Sequence, residues 1–442
     1  MPSSPPPLLY TDTHASADML YFGRVEVHDP FIAFGAGGKK ITVQRTLEFG
    51  RVKRTSAFDV VLPQEPWLAK AQERYGPRAG VAEIIATLAR KYGLRRFRVA
   101  DDFPAALHGK LIKLGLKLDF AGDQLFPERE IKTDWEAACI REGNRLCSVG
   151  YTVAEKILRA ARIKGRTLVH RGKVLTSESL RFALETAIRE QGGDPRDTIL
   201  ACGDQACDPH ERGSGPLRPH ELIIIDVFPR VTKTGYFGDM TRTYLKGRPR
   251  EVQRRLVATV REAQKRATRV MRAGVDGRLV HRAVTECFAD AGYETRHTKS
   301  GSVGFFHGTG HGLGLAVHDP GRMSPSVASP LKQGSVMTVE PGLYYPGLGG
   351  CRWEDVVQVT ATGTKPRARS TGERVGGMSS SPGGRRSSSA TRRSGAPGGR
   401  RRASATPGPW STMSMQARPG RSISNAWSGT PWPRSHRSQG IT

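Results

Sequence analysis

The sequence predicts a protein of the α+β class with an N-terminal α/β domain, a larger second domain and a disordered, basic C-terminal tail. Short β-rich runs alternate with amphipathic helical patterns up to about residue 130, and longer helical patterns follow, interspersed with strands that carry carboxylates. From residue 364 the composition turns to Ser, Gly, Pro, Ala and Arg without apolar periodicity. We therefore divide the chain into residues 1–130, 131–363 and 364–442.

Length and composition predict a soluble, multidomain, cytoplasmic protein. The chain has 442 residues, of which 37% are apolar, enough for a sizeable core. It contains no apolar run of about 18 residues and begins with no secretory signal, so we expect neither a membrane span nor export. Six scattered cysteines favour a reducing compartment. Cys202, Cys207 and His210 suggest a zinc site, but their spacing is poor and a fourth ligand is missing.

The first domain shows no catalytic pattern. Strands are predicted at FIAF, ITVQ and RFRVA, and helices at residues 81–92 and 104–114. Three isolated histidines in this region are interpreted as surface or packing residues: His14, His28 and His108.

The second domain is predicted to begin with a long helix that ends near Arg162. Thr133 is a suitable N-cap and Glu136 follows three residues later, which is the capping-box pattern. The Gly-rich segment 301–314 is expected to be mostly turn. Further helices are predicted at residues 177–191, 249–272 and 277–291, and strands at TILACG, SVMTVEPGLYY and CRWEDVVQVT.

Residues 221–244, ELIIIDVFPRVTKTGYFGDMTRTY, place Asp226 and Asp239 on two predicted strands joined by a short turn. Residues 222–225 are apolar and mostly β-branched, which is typical of a buried strand. A carboxylate at the end of such a strand is costly to bury without a cation or hydrogen-bond donors beside it. Asp226 is therefore a functional candidate.

Three later segments add ligand-type residues to the two aspartates. His311 lies in HGTGHGLGLAVHDP, Glu340 in TVEPG and Glu354 in CRWEDVV. Four carboxylates and one imidazole form an oxygen-dominated set that suits Mn, Fe, Co or Zn and balances the charge of two divalent cations. Without metal the carboxylates would repel one another. Two such cations can activate water and polarise a carbonyl, which is the chemistry of amide hydrolysis.

His307 and His318 flank His311 in the same Gly-rich motif. The glycines at positions 308, 310, 312 and 314 allow close backbone approach around the imidazoles. One histidine can ligate a metal while the others move protons.

Taken as an ordered set, these segments resemble the pita-bread metallopeptidases, which include aminopeptidase P, prolidase, methionine aminopeptidase and the metal-free creatinase. The motifs are DVFPRVTKTGYFGDMTRT, HGTGHGLGLAVHD, TVEPG and GGCRWEDVV, and the resemblance spans residues 130–363. It implies a creatinase-like N-terminal domain and a pita-bread catalytic domain. It also implies two divalent metal ions, most simply Mn²⁺ and otherwise Co, Zn or Fe, bridged by Asp239 and Glu354 and held by Asp226, Asp239, His311, Glu340 and Glu354.

The same resemblance assigns roles to residues that have no signal of their own. His210, in ACGDQACDPHERG, would contact substrate. His318 would hydrogen-bond the substrate carbonyl or move protons, and His307 would assist on the other side of the cleft. Glu340 would accept the proton of the nucleophilic water. Arg352 is either a buried partner of a ligand carboxylate or part of a surface salt bridge.

The implied activity is that of an exopeptidase that acts on peptides, an Xaa-Pro aminopeptidase or a prolidase-like enzyme, assembled as a homodimer or larger homo-oligomer. The large N-terminal domain favours these over a methionine aminopeptidase-like enzyme, and the complete ligand set disfavours a metal-free function. The interval between Asp226 and Asp239 is longer than the family's usual one, and Val227-Phe228 replaces the usual x-Gly. We expect this difference to affect substrate preference more than metal binding.

The tail supports the alternative of a non-catalytic pita-bread protein that binds nucleic acid. The formal net charge is +28, and residues from 364 onward hold 15 basic residues and one acid. Trp410, Trp427 and Trp432 would supply stacking to bases. We favour an out-of-frame origin, because residues 366–442 contain 14 arginines and no lysine, whereas residues 1–365 contain 37 arginines and 18 lysines. Translation of the DNA in the other two frames tests this: without an apolar, strand-like continuation in either, the hypothesis is wrong.

Overall fold

The computed structural model describes residues 4–122, 124–299 and 301–367. These residues form the two predicted domains of an α+β protein. The interpretations of the tail after residue 367 lie outside the described residues. No helix in the described part of the chain is both long and apolar enough to cross a membrane.

The N-terminal domain contains every strand and helix that the sequence predicts, with ends shifted by one or two residues. Its elements are β1 (Leu8–Thr11), α1 (Ala17–Gly23), β2 (Phe31–Ala36), β3 (Lys39–Gln44), α2 (Thr46–Thr55), β4 (Val60–Pro63), α3 (Gln64–Tyr75), α4 (Val81–Lys91), β5 (Arg96–Val99), α5 (Ala105–Lys113) and β6 (Lys117–Phe120).

Strands β1 to β4 form one sheet in chain order, with β3 and β4 parallel and the other pairs antiparallel. Along β2, Ile32 and Phe34 pack into the core that contains α3, α4 and α5, while Phe31 and Ala33 pack on the opposite side with α1 and α2. This alternation follows the period of two of a β-strand. The sheet is therefore covered by helices on both faces. His14 and His28 are exposed and stack on each other with ring centroids 4.6 Å apart.

The second domain is the larger one. A short 3₁₀ helix, Pro127–Glu130, precedes it, and a second, Gly203–Cys207, follows β11. Its elements are α6 (Asp134–Ala160), β7 (Arg162–Lys164), β8 (Thr167–His170), β9 (Lys173–Val174), α7 (Ser177–Glu190), β10 (Gly193–Asp194), β11 (Ile199–Cys202), β12 (Leu222–Val227), β13 (Arg230–Val231), β14 (Met240–Leu245), α8 (Glu251–Val270), α9 (Gly277–Asp290), β15 (Arg296–Thr298), β16 (Gly301–Val303), β17 (Gly310–Gly312), β18 (Asp319–Met323), β19 (Val336–Val339), β20 (Gly342–Tyr345), β21 (Gly349–Arg352), β22 (Asp355–Val359) and β23 (Thr364–Pro366).

Helix α6 begins with the predicted capping box. Glu136 N donates to Thr133 Oγ1 at 3.3 Å, and Thr133 N donates to Glu136 Oε2 at 2.8 Å. Each side chain thus accepts a hydrogen bond from a backbone N–H that has no partner within the helix.

Two predicted single strands are each divided in two at a candidate ligand. Glu340 lies between β19 and β20, and Glu354 lies between β21 and β22. β19 pairs with β22, whereas β20 pairs with β21, so the chain changes its partner strand at both points. Pro341 contributes to the first break because proline has no N–H to continue the ladder. The Gly-rich segment 301–314, predicted as mostly turn, contains β16 and β17, and β23 extends the sheet beyond residue 363.

Two sheets of the second domain, the ones that carry or adjoin the candidate ligands, each pack against a pair of helices. The sheet β11-β12-β14 shares a core with α6 and α7, and the sheet β18-β17-β19-β22-β23 shares a core with α8 and α9. β14 meets the second half of the domain at two places: Thr243 Oγ1 donates to Arg352 O at 2.9 Å, and Glu354 N donates to Thr241 O at 3.1 Å. The candidate ligands gather along this junction.

Candidate metal centre

Strand β12 directs Asp226 away from the helices that cover it. Ile223, Ile225 and Val227 pack into the core of α6 and α7. Because side chains alternate along a strand, Asp226 lies on the opposite face, toward the second half of the domain. The carboxylate is nearly buried, with 8% of the residue exposed.

Asp239 directly precedes β14 and lies on the same face of the sheet as Asp226. Met240 packs into the core of α6 and α7, so its neighbours Asp239 and Thr241 lie on the opposite face. Thr241 is directly opposite Asp226 in the antiparallel pair of β12 and β14. Helix α6 holds the start of β14, because Asp239 N donates to Asn144 Oδ1 at 3.0 Å.

The connection between these two strands is longer than the predicted short turn. It contains β13, which pairs with β10, and it is anchored to both domains. Arg230 Nη2 donates to Glu26 Oε1 of the N-terminal domain at 2.8 Å, and Tyr236 OH donates to Glu136 Oε1 of α6 at 2.7 Å. The extra residues therefore form an ordered segment beside the site.

His311 lies on β17 between two glycines that admit other segments of the backbone. A Cβ atom at Gly310 would lie 2.1 Å from Thr338 O, and one at Gly312 would lie 1.9 Å from Pro320 O. Only glycine fits at such distances. His311 N donates to Thr338 Oγ1 at 3.0 Å, so the backbone that carries the imidazole is held by β19.

The His311 ring turns one nitrogen toward the carboxylates. Nδ1 lies 3.0 Å from Gly312 O, and it must be the donor because a carbonyl only accepts. Nε2 lies 3.3 Å from Glu340 Oε1 and 3.8 Å from Asp239 Oδ2. Burial and the nearby His318 lower the pKa of His311 to about 3, which keeps the imidazole in the neutral form that binds metals.

Glu354 completes a close group with Asp239 and His311. Glu354 Oε2 accepts from Thr241 Oγ1 at 2.8 Å. One potential ligand atom from each residue of the trio lies within 4.8 Å of the other two. In the described part of the chain, Cys202 and Cys207 belong to no such group, and Cys202 Sγ lies 3.8 Å from Glu221 Oε2 instead.

Glu340 approaches from the break between β19 and β20. Its backbone N–H donates to Thr309 O at 2.8 Å, and its side chain is 18% exposed. Burial raises the pKa of Glu340 to about 7; the Arg352 guanidinium opposes this rise and the Asp226 charge adds to it. We call Asp226, Asp239, Glu340 and Glu354 together the carboxylate cluster.

Crowding of negative charge extends through the carboxylate cluster. Burial, followed by the charge of Asp226, raises the pKa of Asp239 well above its usual range. Burial, followed by the charge of Asp239, does the same to Glu354. In the absence of cations, the protonated forms of these carboxyls are favoured.

Arg352 is a buried partner of the cluster, which resolves the two interpretations that the sequence left open. It is 3% exposed, and its Nη2 donates to Asp226 Oδ2 at 2.7 Å. Its Nη1 donates to Tyr344 OH at 3.0 Å, and Tyr344 OH lies 2.9 Å from His307 Nε2. A hydrogen-bonded chain thus connects His307 with Asp226.

The other histidines lie around the same space. His307 Nδ1 donates to Gly308 O at 2.8 Å, which leaves Nε2 to accept from Tyr344 OH. Burial, followed by the charge of Arg352, lowers the pKa of His307 to about 3. His318 is exposed, and its ring packs perpendicular to His311 with centroids 4.4 Å apart. His210 is also exposed, and its charge contributes to the lowered pKa of both His307 and His318.

Sequence reasoning did not identify Tyr344 or Thr241. Thr241 lies two residues after Asp239, so the period of two would have placed the two side chains on the same face. Tyr344 has no such local signal, since its contacts to Arg352 and His307 depend on the β20-β21 hairpin.

The donor set fits divalent metal. Among the described residues, the buried Arg352 guanidinium pairs with one of the four carboxylates, that of Asp226, so negative charge remains in excess. Asp226 Oδ1 is buried and has no hydrogen-bond partner among the described residues. A buried polar atom without a partner is costly, and bound cations would supply both the missing partner and the missing positive charge.

Comparison with known families identifies the region that carries these residues. The sequence model of metallopeptidase family M24 matches residues 138–361. The Xaa-Pro dipeptidase of Pyrococcus furiosus is 36% identical over 170 residues, which cover 38% of this chain and 46% of that protein. The match thus spans less than half of the relative's length.

Solved structures resemble a larger part of the chain. The prolidase from Pyrococcus furiosus superposes with a TM-score of 0.67 at 23% identity, and the superposition covers 83% of this chain and 96% of the prolidase chain. The X-Pro aminopeptidase from Thermotoga maritima gives the same TM-score of 0.67 at 21% identity, and the superposition covers 83% of this chain and 96% of the aminopeptidase chain. At these identities the likeness establishes the fold, and it does not separate the two activities.

Proposed function

Because the chain belongs to metallopeptidase family M24, we propose that it is a dinuclear metal-dependent exopeptidase that hydrolyses the peptide bond before proline. The observation that carries this proposal is the convergence of His311 with the carboxylate cluster, which has too few cations of its own. The names of the relatives, Xaa-Pro dipeptidase and X-Pro aminopeptidase, support the choice of bond.

In this proposal His311 and the four residues of the carboxylate cluster would hold the two metal ions, and Asp239, His311 and Glu354 form the closest group among them. Mn²⁺ is the proposed metal, because an oxygen-rich set with one imidazole suits it. When bound, divalent ions supply Lewis acidity and a nucleophilic water at neutral pH.

The remaining roles follow from the protonation states of the residues. His307 and His318 have pKa values below their usual range, so both are neutral at pH 7. A neutral His318 can donate an N–H to the substrate carbonyl oxygen, and its exposed ring leaves room for substrate. Glu340, whose pKa in the metal-free protein is about 7, is the proposed proton acceptor.

His210 and His307 bound the substrate region in this proposal. His210 is exposed and free to contact a peptide. His307 acts by orienting Tyr344, because its Nδ1 is committed to Gly308 O and its Nε2 accepts from Tyr344 OH.

An assay of the purified, Mn²⁺-loaded chain on Xaa-Pro peptides tests the function, with Asp239→Ala as the matched control. We expect hydrolysis by the wild type and loss of both bound metal and activity in the variant. Equal rates in the two proteins would refute the proposal. A series of peptide lengths separates a dipeptidase, which accepts only Xaa-Pro, from an aminopeptidase, which also accepts longer chains.

A further inference from the structure

Four charged side chains, two of them buried and two partly buried, meet where the N-terminal domain joins the second domain. They are Asp18 on α1, Arg129 and Lys132 in the linker before α6, and Asp319 at the start of β18; we call them the linker cluster. Arg129 Nη1 donates to Asp18 Oδ1 at 2.5 Å, and its Nη2 donates to Asp319 Oδ1. Lys132 Nζ donates to Asp319 Oδ2 at 2.7 Å. Two cations and two anions thus balance one another with little exposure to solvent.

Asp319 directly follows His318, so the linker cluster holds the backbone next to a proposed catalytic side chain. The Asp319 carboxylate is 2% exposed and both of its oxygens are engaged. Asp319 also pairs with Gly312, where the register between β17 and β18 shifts immediately after His311. Movement of Asp319 would therefore displace the residues next to both histidines.

The His318 ring has little else to fix its direction. Within residues 4–122, 124–299 and 301–367 it accepts and donates no hydrogen bond, and its ring contact is the perpendicular packing on His311. Because the ring lacks a hydrogen bond of its own, its direction depends on the backbone that carries it and on this packing.

The loop that leads to His318 also rests on the linker cluster. A Cβ atom at Gly314 would lie 2.2 Å from Asp319 Oδ2 and 3.1 Å from Lys132 Cε. The carbonyl of Gly314 accepts from Phe237 N at 2.9 Å, in the segment between the two ligand aspartates. The absence of a side chain at position 314 thus lets the loop close onto the cluster.

We propose that Arg129 and Lys132 are positioning residues that act through Asp319 to hold His318 in its productive orientation. This inference rests on the proposed peptidase function of His318. It gives the interdomain linker a part in the reaction beyond that of joining two domains.

Arg129→Gln tests this, with Glu26→Gln as the matched control, since Glu26 also forms an ion pair between the N-terminal domain and the second domain but does not touch Asp319. Displacement of a reacting group by about 1 Å costs up to about 100-fold in rate, so we expect Arg129→Gln to lower kcat by about 10- to 100-fold. Glu26→Gln should keep the wild-type kcat. Arg129→Lys retains the charge and should recover part of the lost kcat. If Arg129→Gln does not fold, Arg129→Lys takes its place as the test variant.

A double-mutant cycle with His318→Ala separates positioning from general damage. If Arg129 acts through His318, Arg129→Gln costs no further activity in the His318→Ala background. An equal loss in both backgrounds, or an unchanged kcat in a folded Arg129 variant, overturns the proposal.

NMR of the His318 ring gives a readout that needs no substrate. The ring signal, assigned by its loss in His318→Ala, should shift in Arg129→Gln and stay unchanged in Glu26→Gln. A signal that stays at the wild-type position in folded Arg129→Gln overturns the positioning role. A wild type that hydrolyses none of the peptides would overturn the proposed function alone, because the ring signal still reports on position.

Discussion

The linker cluster and the carboxylate cluster both enclose ionisable side chains, and they differ in how the charge is compensated. In the linker cluster, Arg129 and Lys132 match Asp18 and Asp319 one for one. In the carboxylate cluster, one of the four carboxyls, that of Asp226, pairs with Arg352, and no other arginine or lysine of the described residues forms an ion pair with the cluster. Burial of an unpaired ion costs several kcal/mol, so the first group stays charged without ions from solution, whereas protonation of the carboxyls in the second group is favoured unless cations bind.

The difference teaches how a structural charge group can be distinguished from a binding site. Charges that are paired within the fold leave nothing for a ligand to neutralise. An excess of buried carboxylates indicates a cation-binding site. Here the pKa of Asp239 is raised, and Asp226 Oδ1 has no hydrogen-bond partner among the described residues. Substitutions in the two clusters should therefore have opposite effects on the stability of the metal-free protein.

The largest effect on stability is expected for Asp319→Asn. Loss of this carboxylate leaves the buried Lys132 charge without its carboxylate partner and leaves Arg129 with Asp18 alone, which should lower the free energy of unfolding by about 3–5 kcal/mol. Urea unfolding with and without Mn²⁺ measures it, and the loss should be the same in both conditions. A loss confined to the metal-bound form would contradict the separation of the two clusters.

A pH dependence should distinguish the carboxylate cluster in the metal-free protein. The pKa of Glu340 rises from an ordinary 4.5 to about 7 on folding. The folded state then holds more protons than the unfolded state, so stability is fully present below about pH 4.5 and falls as pH rises to about 7. The fall due to Glu340 is at most about 3 kcal/mol.

Chemical unfolding in chelator across this pH range measures the effect. Glu340→Gln should flatten the fall, because the amide does not titrate. Addition of Mn²⁺ should also remove it, because bound cations favour the ionised carboxylates. An equally steep fall in Glu340→Gln would assign the dependence to other groups.

Asp239→Asn should stabilise the metal-free protein while it weakens metal binding. It removes one carboxyl from the crowded cluster, where burial and the charge of Asp226 raise the pKa of Asp239, so the free energy of unfolding at pH 7 should increase. Thermal unfolding in chelator gives the gain, and the shift of Tm on addition of Mn²⁺ should shrink. If Asp239→Asn were as destabilising as Asp319→Asn, the carboxylate cluster would not be under repulsion.

The smallest effect is expected for the partly exposed ion pair between Glu26 and Arg230, whose side chains are 39% and 14% exposed. Water screens this pair, so Glu26→Gln should cost no more than about 1 kcal/mol and the cost should decrease with added salt. Unfolding at two ionic strengths checks this. A salt-independent loss of several kcal/mol would place the pair with the buried linker cluster.

Local patterns were sufficient to predict most of the elements around the site. The capping box of Thr133 and Glu136 predicted the start of α6, and the apolar run 222–225 predicted β12, because both signals depend on neighbours in the chain. The period of two along β12 and β14 also explains why Asp226 and Asp239 share a face. The chemical types of the ligand candidates were likewise evident from the motifs.

The sequence by itself determined the chemical types of the candidate ligands and predicted most of the long helices and strands, because these properties are local. Only the tertiary structure decided that Arg352 is buried against Asp226, that the strands break at Glu340 and Glu354, and that Arg129 reaches Asp319, 190 residues away. The physical reason is that charge balance depends on distance in space. Side chains far apart in the chain neutralise one another only after the sheets and domains have packed.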